Sequence, residues 1–171
     1  MGLFDKLFGT KKPTKPEAVS ASGDKGAVCS PAAGRVEVTG QIPDPVFASE
    51  AMGKTVAVWP ADGNVFAPIS GTVASAMPHA FGIVGDDGVE VLVHVGVDTV
   101  NMNGDGFQVW VKANEHVNAG DLVLTFDRDK VAKAGYKDII MTIITNSDDL
   151  ASIEKVAEGQ VVAGTKLMQT A

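Results

Sequence analysis

The alternating valines of residues 89–97 constrain the fold more than any other feature of this chain. Valine occupies every second position in the run Val89-Glu-Val-Leu-Val-His-Val-Gly-Val97. Because side chains of a strand point alternately to its two faces, these valines fall on one face and His94 falls on the other. An apolar face opposite a mixed one is typical of an antiparallel sheet that covers a core on one side. We therefore expect a strand here, with His94 directed away from the valine core.

A turn signal, Gly85-Asp-Asp-Gly88, precedes this strand and follows a mostly apolar segment that begins at His79. The pattern predicts a β-hairpin, but two registers fit it. A two-residue loop places His79 directly opposite His94, which would make a functional pair. A type I turn with a bulge at its last glycine places His79 opposite Val95, on the valine face, as an ordinary packed residue. The hydrophobic pattern leaves both registers open.

Two copies of a short motif indicate a duplication. The pattern Pro-x-x-Gly-x-Val occurs in Cys29-Ser-Pro-Ala-Ala-Gly-Arg-Val36 and in Phe66-Ala-Pro-Ile-Ser-Gly-Thr-Val73, and a looser pair is His116-Val-Asn-Ala-Gly-Asp121 and Val161-Val-Ala-Gly-Thr165. Two copies favour a sandwich or barrel over a solenoid. The 19 glycines and the 6% of aromatic residues also favour short strands and tight turns. We predict an all-β fold, an antiparallel β-sandwich or distorted barrel with a duplicated β motif. One or two short helical turns are expected, one of them capped by Ser147 and running to Val156.

The chain begins with two segments that differ from the rest. Residues 1–12 place Leu3, Phe4, Leu7 and Phe8 on one stripe of a short amphipathic helix. This segment is either a weak interfacial anchor helped by its lysines or a frayed tail, since so short a helix is marginal alone. Residues 13–25 carry Pro, Ser, Gly, Lys and Glu with few large apolar residues and predict a flexible linker. The folded domain is expected over residues 26–171.

Composition and charge exclude several classes of function. The net charge of −7 argues against a nucleic-acid partner, because phosphate binding requires clustered positive charge. The single cysteine excludes an intramolecular disulfide. Histidine is the side chain whose ordinary pKa lies near neutrality. Of the three histidines, His79 and His94 are candidate functional residues, and His116 is interpreted as a solvated loop residue.

Several motifs together resemble one known family. They are Ile42-Pro-Asp-Pro-Val-Phe-Ala48, Phe66-Ala-Pro-Ile-Ser-Gly-Thr-Val73, His79-Ala-Phe-Gly-Ile83, Gly88-Val-Glu-Val-Leu-Val-His-Val-Gly-Val-Asp-Thr-Val100 and Gly104-Asp-Gly-Phe107. In this order they resemble the glucose-family IIA component of the bacterial phosphoenolpyruvate:sugar phosphotransferase system. The run Val-His-Val-Gly-Val-Asp-Thr-Val with an upstream His-Ala-Phe is the most specific part of the likeness.

The resemblance implies a cytoplasmic phosphotransferase that serves sugar uptake. His94 would accept a phosphoryl group from the phosphohistidine of the carrier HPr and pass it to a cysteine of a IIB domain. His79 would lie beside it and hydrogen-bond the phosphoryl group. Such a transfer requires mainly positioning and charge stabilisation, so no cofactor is required. Some relatives hold zinc with the two histidines and a partner's carboxylate, which makes His79 and His94 candidate zinc ligands as well.

The resemblance also implies a surface on which HPr and the IIB domain of a sugar permease dock. Its apolar positions are matched by Val46, Phe47, Met52 and Met77, and its acidic positions by Asp44 and Asp98. Acidic groups there would complement a basic carrier and speed the encounter. Core packing is an equally good interpretation of each apolar residue taken alone. Residues 1–12 look like the membrane-associating arm of some free-standing members, which would add a peripheral contact with the inner membrane face.

The chain departs from the family just before His79. A threonine that usually hydrogen-bonds into the site is replaced by Met77, so the orientation of the histidines would come from the backbone or another residue. A non-phosphorylated regulatory or binding module of the same fold is therefore the alternative. A zinc peptidase of related architecture would need a His-x-His pair, and a biotinyl or lipoyl carrier would need a Met-Lys-Met hairpin tip. The sequence contains neither.

Overall fold

The computed structural model describes residues 15–171, so the predicted amphipathic segment 1–12 lies outside the described residues. The strands are β1 (Ala27–Cys29), β2 (Gly34–Glu37), β3 (Lys54–Pro60), β4 (Asn64–Phe66), β5 (Gly71–Ala76), β6 (Ala80–Gly85), β7 (Glu90–Val95), β8 (Phe107–Val109), β9 (His116–Val117), β10 (Leu122–Phe126), β11 (Ile140–Ile144), β12 (Ile153–Lys155), β13 (Gln160–Val161) and β14 (Lys166–Thr170). The helices are α1 (Pro45–Ala48) and α2 (Arg128–Lys133), and 3-10 turns cover Thr39–Gln41, Thr99–Met102 and Ser147–Asp149.

The strands form three antiparallel sheets. The largest has the order β13-β2-β3-β11-β7-β6-β5-β9, and the smaller ones have the orders β1-β14-β12 and β4-β10-β8. The main core contains residues from all three sheets, including Val28, Val65 and Val93. This arrangement confirms the predicted all-β sandwich with short helical pieces.

A second, smaller apolar cluster covers the other face of the large sheet. It consists of Ile42, Phe47, Ala57, Ile139, Met141 and Ile143. The central strand β11 is therefore buried on both faces, with Ile140 and Ile144 in the main core and Met141 and Ile143 in the second cluster. The candidate site lies next to this second cluster.

The valine face of β7 is nearly as predicted. Val89, Val91, Val93 and Val95 are at most 4% exposed and belong to the main core. The prediction for Val97 is wrong, because that residue packs against the second cluster instead. The strand ends at Val95, and Gly96 follows with a φ of +83°. A positive φ breaks the strict alternation of an extended strand, so the face of Val97 no longer follows from its position in the sequence.

The hairpin formed by β6 and β7 adopts the bulged register. Ala80 pairs with His94 and Phe81 pairs with Val93. Gly88 has a φ of +90°, and its N–H donates to the carbonyl of Gly85 at 2.9 Å. A left-handed glycine at the end of a type I turn is the usual geometry of such a bulge. The alternative register, with His79 directly opposite His94, is therefore wrong.

Reciprocal hydrogen bonds relate the two copies of the repeated motif. The Cys29 N–H donates to the carbonyl of Pro68 at 2.9 Å, and the Phe66 N–H donates to the carbonyl of Pro31 at 2.8 Å. Cys29 and Phe66 are the first residues of the two motifs, and the two prolines are equivalent to each other. The predicted duplication is thus present as a pair of motifs that bond to each other in the same way.

The looser pair of repeats follows the same arrangement. The Gly164 N–H donates to the carbonyl of Ser30 at 2.9 Å, and the Gly120 N–H donates to the carbonyl of Ala67 at 2.8 Å. Ser30 and Ala67 are the second residues of their motifs. Each Pro-x-x-Gly motif is therefore bonded to one Ala-Gly turn.

The described part of the predicted linker, residues 15–25, lies along the domain. The Val19 N–H donates to the carbonyl of Gly120, and the Ser22 N–H donates to the carbonyl of Gly164, both at 3.0 Å. We call residues 19–22 the strap, because they connect the Ala-Gly turns of the two repeats. The flexibility of residues 13–25 stays a prediction.

The helical turn predicted from Ser147 to Val156 is too long. Only Ser147–Asp149 is helical, and the chain then becomes extended and enters β12 at Ile153. This segment instead pairs as β12 with β14, the central strand of its sheet, and this tertiary pairing overrides the local capping signal. Among residues 15–171, no helix is long and apolar enough to cross a membrane.

Candidate active site

His79 and His94 lie side by side, although the bulged register does not place them opposite each other. Their ring centroids are 5.2 Å apart, and the ring planes meet at 77°. His94 is the second-last residue of β7, whereas His79 precedes β6 in the connection from β5. Because His79 lies outside the regular strand, strand alternation does not fix the direction of its side chain. The expectation that this register makes His79 an ordinary packed residue is therefore wrong.

Backbone contacts hold His79 at the end of the hairpin. The Val95 N–H donates to the carbonyl of His79 at 2.7 Å, and the Met77 N–H donates to the carbonyl of Ala80 at 2.8 Å. A Cβ added to Gly104 would lie 3.2 Å from Cγ of Pro78, so the proline ring packs closely over this glycine. The Met77-Pro78 segment thus positions His79 through main-chain bonds and a proline contact.

One hydrogen bond fixes the orientation of the His94 ring. Its Nδ1 lies 2.8 Å from the carbonyl oxygen of Gly96. Because a carbonyl oxygen can only accept, Nδ1 carries the proton when the ring is neutral. The other nitrogen, Nε2, then has a lone pair available for a reaction.

Both histidines are held in the neutral form. Burial lowers the pKa of His94 below its ordinary value of 6.5, and the neighbouring His79 lowers it further. The Gly96 carbonyl and the carboxylates of Asp44 and Asp98 raise this pKa, but burial outweighs them. Burial also lowers the pKa of His79. Near pH 7 the pair therefore presents uncharged imidazoles, the form in which a ring nitrogen is nucleophilic.

Helix α1 supplies an aromatic wall beside His94. Asp44 caps this helix, because its Oδ1 accepts the N–H of Val46 at 2.9 Å. The ring centroid of Phe47 lies 5.0 Å from that of His94, with the planes tilted by 47°. Phe47 is 7% exposed and belongs to the second cluster. It is thus both a packed residue and a contact of the histidine.

The other sequence-predicted rim residues are placed differently from Phe47. Val46, Met52 and Met77 are 46%, 41% and 46% exposed, so core packing is not their role. Asp44 is half-buried, Asp98 is exposed, and both act electrostatically on His94. Val100, which sequence reasoning did not single out, is 54% exposed and lies two residues after Asp98.

The carbonyl of Gly96 and the side chain of Thr99 were also missed as parts of the site. Gly96 contributes a carbonyl rather than a side chain, and Thr99 is buried at 1% exposure. The only available signal was their position in the Val-His-Val-Gly-Val-Asp-Thr-Val run.

The third histidine lies elsewhere. His116 is in the edge strand β9, paired with Thr72 at the start of β5, whereas His79 follows the end of β5. Its Nε2 lies 2.9 Å from Oδ2 of Asp86 in the hairpin turn. The interpretation of His116 as a loop residue is wrong, although its side chain is exposed as expected.

Residues 15–171 contain no group of three or more His, Cys, Asp or Glu side chains arranged to hold a metal ion. The two imidazoles could supply two of the four ligands that zinc usually takes. Any further ligands would come from outside the described residues, for example from water or from another molecule.

Comparison with known proteins identifies the family. A family model described as the phosphoenolpyruvate-dependent sugar phosphotransferase system, EIIA 1, matches residues 26–150. The chain belongs to this family. As a IIA component it is 38% identical over 170 residues to the glucose-specific EIIA component of Halalkalibacterium halodurans, covering 98% of this chain and 97% of the relative.

Other relatives place the IIA domain in different contexts. A glucose-specific EIICBA component of Streptococcus pneumoniae is 45% identical over 140 residues, which cover 81% of this chain and 19% of the relative. The solved structure of glucose permease IIA from Mycoplasma capricolum matches with a TM-score of 0.75 and 34% identity, over 83% of this chain and 93% of that chain. This structural match confirms the predicted IIA fold.

Proposed function

We propose that this phosphocarrier of the sugar phosphotransferase system accepts its phosphoryl group on Nε2 of His94. The observation that carries the proposal is the bond from Nδ1 of His94 to the Gly96 carbonyl, which leaves a lone pair on Nε2. The pKa of His94 is lowered by burial, so this nitrogen is unprotonated near neutral pH. Family membership over residues 26–150 supports the same assignment.

The first step is an in-line transfer from a phosphohistidine donor, the carrier HPr. The Nε2 lone pair of His94 forms a new N–P bond, while the N–P bond of the donor breaks and its electron pair returns to the donor imidazole. The Nδ1–H of His94 stays hydrogen-bonded to the Gly96 carbonyl, so a fixed dipole stabilises the developing imidazolium charge. The surrounding residues contribute little covalent chemistry and mainly position the phosphoryl group.

The second step passes the group to a IIB cysteine. The cysteine thiolate attacks phosphorus, an S–P bond forms, and the pair of the broken N–P bond returns to Nε2. The relative from Streptococcus pneumoniae that unites A, B and C components in one chain supports a IIB partner. The sugar is selected by the membrane component, and relatives of this chain include both glucose-specific and β-glucoside-specific components.

His79 assists as a hydrogen-bond donor to the phosphoryl oxygens. Its ring lies 5.2 Å from that of His94, centroid to centroid, and its carbonyl is tied to the Val95 amide. Burial lowers its pKa, so the ring is neutral and still carries one N–H. A donor fixed in place before the reaction stabilises charge without reorganisation, and this effect is large in a partly dry site.

Both partners dock on the exposed residues around the histidine pair. Val46, Met52 and Met77 provide apolar contact, with Phe47 behind them, and the carboxylates of Asp44 and Asp98 attract a basic partner. An apolar centre with charged groups near its edge favours fast encounter and orientation over tight binding. Such a surface suits a carrier that must release each partner.

Zinc is a further ligand that the histidine pair could take. His79 and His94 would hold it as imidazole ligands, and a carboxylate of a partner would complete the site. Zinc would bind the lone pair on Nε2 of His94 that otherwise accepts the phosphoryl group, so zinc and the phosphoryl group would exclude each other.

Phosphorylation measured by mass tests the main proposal. The protein is incubated with phosphoenolpyruvate, enzyme I and HPr, and intact mass is recorded. We expect one added phosphoryl group in the wild type and in His116→Ala, and none in His94→Ala. His116 is the matched control, because it is also a histidine in the described domain but lies away from the pair. A phosphorylated His94→Ala, or an unmodified wild type, would contradict the proposal, and the latter would favour a regulatory module.

Onward transfer tests the role of His79. His79→Gln should still become phosphorylated, because Nε2 of His94 is unchanged. Transfer to a IIB domain should slow by roughly 100-fold, because the glutamine amide can still donate but does not hold its N–H in the place of the fixed imidazole N–H. Single-turnover transfer from the purified phosphoprotein measures this rate. Wild-type transfer in His79→Gln would mean that the imidazole of His79 is not required.

A further inference from the structure

The turn after β7 carries the carbonyl that binds His94, and its shape is unusual. Gly96 has a φ of +83° and Asp98 has a φ of +61°. The turn is closed by Thr99, whose Oγ1 donates a hydrogen bond to the carbonyl of Val95. The side chain of Asp98 forms no capping hydrogen bond to the 3-10 turn that follows, so its carboxylate does not close the turn.

Thr99 also holds Gly96 from one side. A Cβ added to Gly96 would overlap Cγ2 of Thr99 and would lie 3.0 Å from the carbonyl oxygen of Lys137. Thr99 is 1% exposed, so both its methyl and its hydroxyl are packed against the turn. The glycine is therefore held between Thr99 and the segment that leads into β11.

The peptide group between Gly96 and Val97 is bound at both ends. Its carbonyl accepts the Nδ1 proton of His94 at 2.8 Å, and its N–H donates to the carbonyl of Lys137 at 3.0 Å. The Gly96 N–H donates to the carbonyl of Ile139 at 2.8 Å. A hydrogen-bonded chain of this kind polarises its members in the same direction and strengthens the bond to His94.

We propose that Thr99 is a positioning residue for His94. By closing the turn from Val95 to Thr99, its hydroxyl keeps the Gly96 carbonyl directed at Nδ1, and this keeps Nε2 unprotonated. The proposal rests on the proposed role of His94. It also explains how the ring is oriented in a chain that has Met77, which has no hydroxyl, before His79.

The tautomer of His94 is the direct readout. In ¹⁵N-labelled wild type we expect one neutral tautomer with the proton on Nδ1. Thr99→Val removes the donor and keeps the volume, so a mixture of tautomers should appear and phosphorylation by HPr should slow by about tenfold, the effect of losing one buried hydrogen bond. Thr99→Ser keeps the hydroxyl and should retain the wild-type tautomer. Thr99→Ala is the second donor-free variant if Thr99→Val does not fold.

Thr142→Val is the matched control. Thr142 is also a fully buried threonine, it lies on β11 opposite Val93, and its Oγ1 has no hydrogen-bond partner among residues 15–171. The same chemical change there should leave the tautomer and the phosphorylation rate of His94 unchanged. A folded Thr99→Val with a pure wild-type tautomer would overturn the proposal. The NMR readout needs no phosphorylation, so failure of the proposed function would be seen separately, as a wild type that gains no phosphoryl mass.

Discussion

A single hydrogen bond makes the two ring nitrogens of His94 chemically different. Nδ1 is bonded to the Gly96 carbonyl, and Nε2 is left with the lone pair. The sequence placed His94 on the correct face of its strand, because alternation with the buried valines decides that. It could not assign the tautomer, because the acceptor is a main-chain carbonyl whose direction depends on a left-handed glycine.

The lowered pKa of His94 predicts how acid affects this residue. Burial places the pKa below 6.5, so the ring titrates by NMR with a midpoint below that value. As pH falls, His94 is protonated in the unfolded chain before it is protonated in the folded protein. Its contribution to the free energy of unfolding is therefore fully present above the pKa of the unfolded chain, and it is lost as pH falls through the pKa of the folded protein.

Urea unfolding of wild type and His94→Gln between about pH 7.5 and pH 5 measures this contribution. The wild type should lose more stability on acidification than the variant does. Equal losses would mean that burial does not depress the pKa of His94.

Among the elements, helix α1 has the largest influence on the site for its size. It spans only Pro45–Ala48, yet it places Phe47 against the His94 ring and presents Val46 to solvent. A helix this short cannot form alone, so it depends on the Asp44 cap and on the packing of Phe47 in the second cluster. Asp44 therefore has two separable roles, a cap and a charge near His94.

Asparagine and alanine at position 44 separate these roles. Asn caps a helix about as well as Asp, so Asp44→Asn should retain stability but slow association with a basic partner and weaken its salt dependence. Asp44→Ala should show the same loss of association rate and an additional loss of about 1 kcal/mol in the free energy of unfolding. Stopped-flow binding to HPr and urea unfolding measure the two effects. Equal stability of the two variants would contradict the capping role.

The β6–β7 hairpin shows how an element can be predicted while its register is not. Turn residues and alternating valines identified the hairpin, but Gly85-Asp-Asp-Gly88 accommodates two loops of different length. The structure selects the loop in which Phe81 and Ile83 are buried with the valines, since both are at most 1% exposed. The two histidines still meet, because His79 lies in a bend just outside the strand.

Over the whole molecule, the duplicated motifs form a framework that is joined by the strap, residues 19–22. Gly120 and Gly164 occupy equivalent places in the two repeats and accept hydrogen bonds from Val19 and Ser22. Both glycines have positive φ, and a Cβ on either would overlap a strap carbonyl, that of Val19 or that of Ser20. The strap thus packs on surfaces that only glycine permits.

Alanine at these glycines should detach the strap without disturbing the histidines. Gly120→Ala and Gly164→Ala should speed exchange of the Val19 and Ser22 amide protons at least about tenfold, because a bonded amide becomes exposed. Gly159→Ala is the matched control, since Gly159 also has positive φ but an added Cβ there would meet no atom of the described residues within 4 Å. The control should lose about 1 kcal/mol of stability from backbone strain and keep the strap protected. Unchanged exchange in Gly120→Ala and Gly164→Ala would contradict this role.

The sequence by itself determined the fold class, the duplication, the strand that carries His94 and the family. Each of these depends on local periodicity or on an ordered set of motifs, which a single chain displays directly. The tertiary structure decided the hairpin register, the exposure of Val46, Met52 and Met77, and the bond from His94 to Gly96. These depend on long-range packing, because the turn that carries Gly96 takes its shape from Thr99 and from the segment before β11, about forty residues further along the chain.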